Sequence, residues 1–208
     1  MTTMASTMPP MGGGSSSTEV TIDQSQSVNR LWGIPLLGWM VRAIALIPHF
    51  FVLWVLGIGV GLSLLVSWLL ILLTGKNPFA GFYLMFFAWS ARVFAWLFFL
   101  VGPYPPFGSD PSYPVQVTMP TDAPMNRLWG IPWLGIVVRG ILVIPHVIVL
   151  ALLVLVAYLL ILVVWIPILI NGRSPGIAYT VFGGWIRQQT RLVTWYLLCP
   201  VSYPPFLP

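Results

Sequence analysis

The chain is short of charge, since only 6% of its 208 residues are Asp, Glu, Lys or Arg, while 58% are hydrophobic. A soluble domain carries about 25% charged residues, so these few charged side chains cannot cover a water-facing surface. The composition therefore predicts an integral membrane protein and excludes the secreted, cytosolic and disordered classes.

Cysteine is also scarce. The single Cys199 excludes an intramolecular disulfide, and no Cys/His cluster has the spacing of zinc ligands, so neither a metal nor a cofactor is predicted. The net charge of +5 comes from scattered basic residues without interleaved aromatics, so no nucleic-acid partner is expected. Phosphate-binding loops, nucleophile elbows and paired acids are missing as well, which predicts that the protein is not an enzyme.

An internal repeat is the strongest pattern that the sequence contains. Residues 29–49 and 126–146 agree at 15 of 21 positions, and a Gly-Lys/Arg-x-Pro turn and a Tyr-Pro-Pro-Phe motif follow in each copy. Self-similarity of this kind predicts a tandem duplication. The predicted organisation is a disordered tail (1–17), a first membrane repeat (18–107), a linker (108–113) and a second membrane repeat (114–208).

Each copy opens with a short alternating segment, 19–23 or 115–119, that predicts a strand outside the membrane. A charge-free run of 31 residues follows, which exceeds the roughly 20 residues of a straight crossing. Pro48 and Pro145, each followed by a histidine, lie early in these runs and predict a kink. We therefore expect spans at about 48–73 and 145–170, with Pro167 bending the second.

A second hydrophobic segment of 23 residues completes each copy, at 79–101 and 176–198. These segments carry Arg92, Arg187 and Arg191 on faces of otherwise small or polar residues. A lipid-facing arginine at mid-depth is costly, so these faces should contact protein, water or headgroups.

Two topologies follow from these segments. If all four cross, the copies are parallel; if the arginine-bearing segments lie in the interface, each copy crosses once and the copies are inverted. The hydrophobicity of the second segments favours four spans. The predicted fold class is an all-α integral membrane protein of two tandem two-span repeats, that is, four transmembrane helices with short extramembrane strands. The basic residues then place both termini in the cytoplasm of a cell-membrane protein: Arg30, Arg42, Arg127 and Arg139 on the terminal side, Lys76 and Arg173 opposite.

The two histidines, His49 and His146, occupy equivalent positions. A pseudo-twofold axis could bring them together as a haem or metal site. No further ligands lie nearby in the sequence, so we prefer the reading in which Pro48-His49 and Pro145-His146 form helix kinks whose histidines meet water or a carbonyl.

Small residues form a groove on the first span: Gly57, Gly59, Gly61, Ser63 and Ser67. This spacing allows close helix approach, which predicts an interface between the two repeats or, alternatively, a docking groove for another membrane protein. The arginine faces suggest contact with an anion or a lipid headgroup, against a structural role in helix packing.

The assembled motifs resemble the bacterial membrane family catalogued as domain of unknown function 4389. The resemblance is carried by Ile-Pro-His at 47–49 and 144–146 and by both Tyr-Pro-Pro-Phe motifs, and it covers both repeats. Members commonly have an acidic residue before Tyr-Pro-Pro-Phe, whereas Gly102-Pro103 and Val201-Ser202 stand here. The resemblance implies an uncharacterised membrane protein and supplies no catalytic residues.

Function remains open between three classes. The leading expectation is a non-enzymatic structural or accessory component whose partners are the lipid bilayer and other membrane proteins. The second is a small transporter or channel for an anionic solute or lipid headgroup that uses the arginine faces. The third is an enzyme or electron carrier built on the histidine pair. The sequence does not predict an oligomeric state.

Overall fold

The computed structural model describes residues 17–108, 110–131 and 134–206. The tail predicted to be disordered, apart from its last residue, lies outside them. The described chain is mostly helical with one small sheet, in this order: β1 (Glu19–Ile22), a 3-10 turn (Arg30–Gly33), α1 (Leu37–Ala45), α2 (Ile47–Thr74), α3 (Ala80–Leu97), β2 (Val115–Thr118), a second 3-10 turn (Arg127–Gly130), α4 (Leu134–Ile161), α5 (Trp165–Asn171) and α6 (Gly176–Tyr196).

Three helices are long and apolar enough to cross a membrane, namely α2, α3 and α4. This confirms the prediction of a mainly helical protein with membrane-spanning potential. Among the described residues α6, the fourth expected span, does not meet the same criterion. Its sequence explains this, because Arg187, Gln188, Gln189 and Arg191 lie within two turns.

The two strands pair with each other in antiparallel register, although 95 residues separate Thr21 from its partner Gln116. Val20, Ile22, Val115 and Val117 are buried, whereas Glu19 and Thr21 are exposed. One face of the sheet therefore packs on the protein and the other carries polar side chains, as an antiparallel pair allows.

The two long hydrophobic segments break at different places. In the first, the helix is interrupted at Leu46 and α2 begins one residue before Pro48. In the second, α4 continues through Pro145, and the break falls at 162–164, before α5. The predicted span start at about 145 was therefore wrong. Proline at position 145 removes one backbone donor without ending the helix, which membrane helices tolerate.

Each hairpin packs antiparallel. Tyr83 of α3 lies beside Ser63 and Ser67 near the end of α2, whereas Trp89 lies beside His49 near its start. The buried residues of α2 form one stripe against α3: His49, Leu53, Val60, Ser63, Ser67 and Ile71. The opposite side of α2 is apolar and exposed along its whole length.

The N-terminal half (18–107) and the C-terminal half (114–206) contact each other reciprocally. A methyl group added to Gly33 would lie 2.5 Å from the Leu169 nitrogen, and one added to Gly130 would lie 2.4 Å from the Leu72 nitrogen. Backbone hydrogen bonds repeat the pattern, because Val28 donates to the Gly172 carbonyl and Met125 donates to the Gly75 carbonyl, both at 2.8 Å. Such exchange is the pattern of an isologous interface.

These contacts set the direction of the long helices. The start of the first long segment lies beside the end of the second, and the start of the second lies beside the end of the first. The segments 37–74 and 134–171 therefore run in opposite directions. The parallel arrangement that we associated with four spans was wrong, because the sequence pattern within each copy carries no information on how the copies face each other.

Candidate functional site

The proline positions are each covered by the Tyr-Pro-Pro-Phe motif that closes the same half. Proline has no backbone N–H, and its ring disturbs the carbonyls of the preceding turn. The Tyr104 hydroxyl donates to the Ala45 carbonyl at 2.7 Å, three residues before Pro48. The Tyr203 hydroxyl donates at 2.9 Å to the Leu142 carbonyl, three residues before Pro145. The motif thus hydrogen bonds to a carbonyl in the turn before each proline, next to the carbonyl that proline leaves without a backbone donor.

Both histidines are fully buried beneath these motifs. The Trp89 indole N–H donates to His49 Nδ1 at 2.9 Å, and the His49 ring stacks on Phe107 with centroids 3.9 Å apart. In the other half, His146 Nε2 lies 3.1 Å from the Pro204 carbonyl oxygen, and its ring stacks on Phe206. Among the described residues, the stacking and hydrogen-bond partners of His49 and His146 are different, so each ring belongs to its own aromatic cluster.

A buried arginine completes each cluster. The Arg42 guanidinium lies 4.4 Å from the ring centroids of Trp96 and Phe99 and 5.0 Å from that of Trp32. Its Nη1 donates to the Trp96 carbonyl. Cation–π contact with several rings is strong once water is excluded. We call this arrangement of Arg42 and its rings an arginine cage.

The second half holds an equivalent arginine cage. Arg139 lies 4.6 Å from the Trp129 centroid and 4.7 Å from that of Trp195, and its Nη1 donates to the Trp195 carbonyl. Trp195 also packs edge-to-face with Tyr203 at 5.0 Å, which links the cage to the proline kink. The sequence predicted both arginines on the terminal side of the membrane, not in buried clusters. The available signal was their identical position within the repeated block.

Several buried nitrogens in these clusters lack hydrogen-bond partners among the described residues: Arg42 Nε and Nη2, Arg139 Nε and His49 Nε2. The faces of the aromatic rings attract the positive charge of the arginines. They do not supply hydrogen-bond acceptors for the N–H groups, which point along the plane of the guanidinium. In each cluster the positive charge of the arginine is therefore stabilised by aromatic rings and a carbonyl rather than by a carboxylate.

The arginines predicted to share a polar face do turn toward protein. Arg92 is 4% exposed and donates from Nη1 to the Gly108 carbonyl at 2.6 Å and from Nε to the Val115 carbonyl at 3.3 Å. Arg191 donates from Nε to the Thr18 carbonyl at 3.2 Å. Each arginine thus holds the strand segment of the opposite half. Arg187 is half-buried next to Gly183 and does not join these contacts.

The groove of small residues on α2 receives α3 rather than the other repeat. Positions for a methyl group on Gly57 and Gly59 lie 3.9 and 3.2 Å from the rings of Phe86 and Phe82, and Gly61 faces open space. Ser63 and Ser67 hydrogen bond to the Tyr83 hydroxyl at 3.0 and 3.1 Å. The predicted interface between repeats was therefore wrong. A stripe of small residues indicates close packing but does not identify the partner.

A pair of strained residues was not foreseen from the sequence. Phe99 and Leu198 follow α3 and α6 with φ of 61° and 60°, a conformation unusual for such side chains. Their carbonyls accept hydrogen bonds across the halves, from the Ser174 hydroxyl and from the Asn77 side-chain amide. The turn of each half therefore fixes the helix end of the other.

A cavity of about 490 Å³ lies between the first half of α3 and the strand pair. Arg92 and Gln116 supply its polar wall, whereas Leu84, Met85 and Ala88 supply an apolar wall. The cavity thus has the amphipathic character expected of a site for a lipid headgroup or another amphiphile.

The described residues contain no group of three or more potential metal ligands. Burial raises the pKa of the Cys199 thiol to about 12, which favours the protonated thiol at neutral pH. No family model matches the chain, and neither a curated protein nor a solved structure matches it.

Proposed function

We propose that the chain is a non-enzymatic structural component of a membrane, built from two copies of one helical hairpin unit. The observation that carries this proposal is the combination of a continuous apolar surface on α2 and α4 with polar side chains that bind the protein's own carbonyls. The first property anchors the protein in lipid, and the second leaves few groups free for chemistry.

The apolar surface is large for a chain of this size. Phe51, Leu65 and Leu73 of α2 are 63%, 67% and 62% exposed, and Leu152 and Leu159 of α4 are 59% and 62% exposed. Exposed apolar patches on this scale mark membrane or protein interfaces in folded proteins. Acyl chains are the occupant that matches helices lacking charged residues on the exposed side.

The polar inventory supports a structural role. Arg92 and Arg191 hold the strands, Asn77 holds the end of α6, and Tyr104 and Tyr203 cover the kinks. Each of these contacts joins parts of the protein that lie far apart in sequence. Residence in the cell membrane and cytoplasmic termini stay predictions from the sequence, whereas four crossings would need the parallel copies that the opposite directions of the long segments do not support.

The test combines fractionation with a transport assay. We expect the full chain to stay in the membrane pellet after washing at alkaline pH and to need detergent for release. Reconstituted in liposomes, it should move no anion faster than liposomes without protein, and activity screens should find no turnover. Release without detergent contradicts membrane embedding, and an anion flux that Arg92→Ala abolishes and Arg173→Ala retains contradicts the structural role.

A second candidate function is retention of an anionic lipid headgroup in the cavity beside Arg92. The amphipathic lining of that cavity favours it, since a phosphate could replace the Gln116 oxygen 3.5 Å from Arg92 Nη2. Native mass spectrometry with phosphatidylglycerol and phosphatidylcholine tests it. Preferential retention of phosphatidylglycerol that Arg92→Gln removes supports the site; equal retention of both lipids contradicts it.

A further inference from the structure

We infer that the protein sits in a single leaflet, with α2 and α4 along the membrane plane, the strand pair facing water and the opposite face in acyl chains. The inference rests on the proposed function, since it specifies the lipid surface that the membrane component binds. It replaces the crossing helices expected from the sequence.

The position of the strand pair along the axis of the long helices supports the in-plane orientation. Arg92 ties β2 to α3 at the level of the α1–α2 junction, because its neighbours Trp89 and Trp96 contact His49 and Arg42. The reciprocal contact of Arg191 with Thr18 ties β1 to the equivalent level of the antiparallel segment. Each of these levels is about 14 Å from the start of its own segment at 1.5 Å per residue. Because the two segments run in opposite directions, the paired strands that join the two levels are centred over the middle of the long helices, about 30 Å from either end.

A crossing orientation would place this sheet at the centre of the bilayer. Glu19 and Asp23 are exposed, and the Asp23 carboxylate accepts bonds from its neighbours Ser25 and Gln26, which lowers its pKa and keeps it ionised. Ionised side chains at mid-depth are unfavourable on every experimental scale. The sheet must therefore be in water.

The linker leads to the same conclusion. Leu97 ends α3 at the level of Arg42, whereas Gly130 lies beside Leu72 at the opposite end of the long helices. The described residues between them are irregular apart from one strand and one 3-10 turn. Irregular backbone exposed to lipid does not occur in the hydrocarbon core, so this stretch cannot cross it.

The lipid side follows from the packing around α3. Arg92 marks the face toward the strands, Trp89 the face toward α2, and Phe94 the face toward Trp185 of α6. The exposed half of α2 points away from α3, opposite its buried stripe. A helix about 10 Å across fits in the roughly 15 Å of hydrocarbon that one leaflet supplies.

Depth measurements test this orientation directly. Phe51→Cys, Leu62→Cys and Leu73→Cys, all at exposed positions of α2, would carry nitroxide labels in reconstituted full-length protein. Cys199 is buried, so the unaltered chain serves as the unlabelled control. An in-plane helix gives three depths within about 10 Å of one another, whereas a crossing helix spreads positions 51 and 73 over about 33 Å. A graded spread of that size overturns the inference.

Sidedness supplies an independent measurement. Glu19→Cys, Lys76→Cys and Arg173→Cys should react with a membrane-impermeant maleimide from the same side, either all in sealed cells or all only after permeabilisation. Lys76 and Arg173 labelled from opposite sides, or both opposite to Glu19, overturn the inference. Such results leave the proposed function intact, since the protein would still need detergent for extraction; release by alkaline washing would instead remove the proposed function.

Discussion

Gly130→Ala is the substitution that most directly tests the contact between the two halves. The new methyl group would lie 2.4 Å from the Leu72 nitrogen and 2.5 Å from the Trp68 carbonyl oxygen. Both neighbours are backbone atoms of α2, so no side chain can rotate away. An ordinary carbon contact needs at least about 3.4 Å, so the second 3-10 turn and α2 must separate by about 1 Å.

The expected loss of stability follows from this separation. Overpacking of a close contact costs about 1–3 kcal/mol. The backbone hydrogen bond from Met125 to the Gly75 carbonyl lies at the same contact, and its weakening adds about 0.5–1.5 kcal/mol. We therefore expect Gly130→Ala to lower the free energy of unfolding by about 2–4 kcal/mol. For a chain of this length that corresponds to a melting temperature lower by about 5–15 °C.

The assay is thermal unfolding in mild detergent, followed by near-UV circular dichroism of the tryptophans. Gly61→Ala is the matched control, since Gly61 lies in α2 with nothing within 4 Å of the added methyl group. Alanine in a helix is favoured over glycine by about 0.5–1 kcal/mol, so the control should melt slightly higher than the unaltered protein. Equal melting temperatures for the two variants would refute the close contact between the halves.

Three further substitutions probe the clusters and the linker. Arg42→Lys should lower the free energy of unfolding by about 1–3 kcal/mol because an ammonium cannot stack flat in the arginine cage. In the same melting assay Arg173→Lys, at an exposed position, should be neutral. Equal effects of the two substitutions would contradict the arginine cage. Tyr203→Phe should cost about 0.5–1.5 kcal/mol by removing the donor at the kink, and an unchanged melting temperature would count against that bond. Hydrogen bonds from Ser112 lower the pKa of Asp110, a contribution to stability that is present above the unfolded pKa and lost as pH falls through the folded one. Ser112→Ala should raise that pKa in a carboxyl NMR titration, and an unshifted value would contradict this interpretation.

Local features were predictable because they depend on residues close in sequence. The alternation at 19–23 and 115–119 predicted both strands, which the structure has at Glu19–Ile22 and Val115–Thr118, and the apolar runs predicted the long helices. The kink at Pro48 follows from the missing amide donor. At Pro145 the same chemistry leaves α4 continuous, although a tyrosine hydroxyl donates to the preceding turn at both prolines. The difference between the two copies is therefore not a local property of the proline.

Contacts between the halves could not be predicted for a similar reason. The close approach of Gly33 to Leu169 is made by backbone atoms, so it cannot be predicted from the side-chain pattern of either segment. Arg42 beside tryptophans is equally typical of a headgroup-facing position and of a buried arginine cage. Only the position of the Trp96 carbonyl and the surrounding rings distinguishes the two.

The exchange of turns between the halves has an implication for shortened versions of the protein. A polypeptide of residues 114–206 alone would keep Ser174 and Leu198 but lose their hydrogen-bond partners, namely the Phe99 carbonyl and the Asn77 side-chain amide. Two such polypeptides could supply each other with near-identical substitutes. We therefore expect the isolated C-terminal fragment to be recovered as a symmetric homodimer, the form that a single-unit ancestor would have taken before its gene doubled.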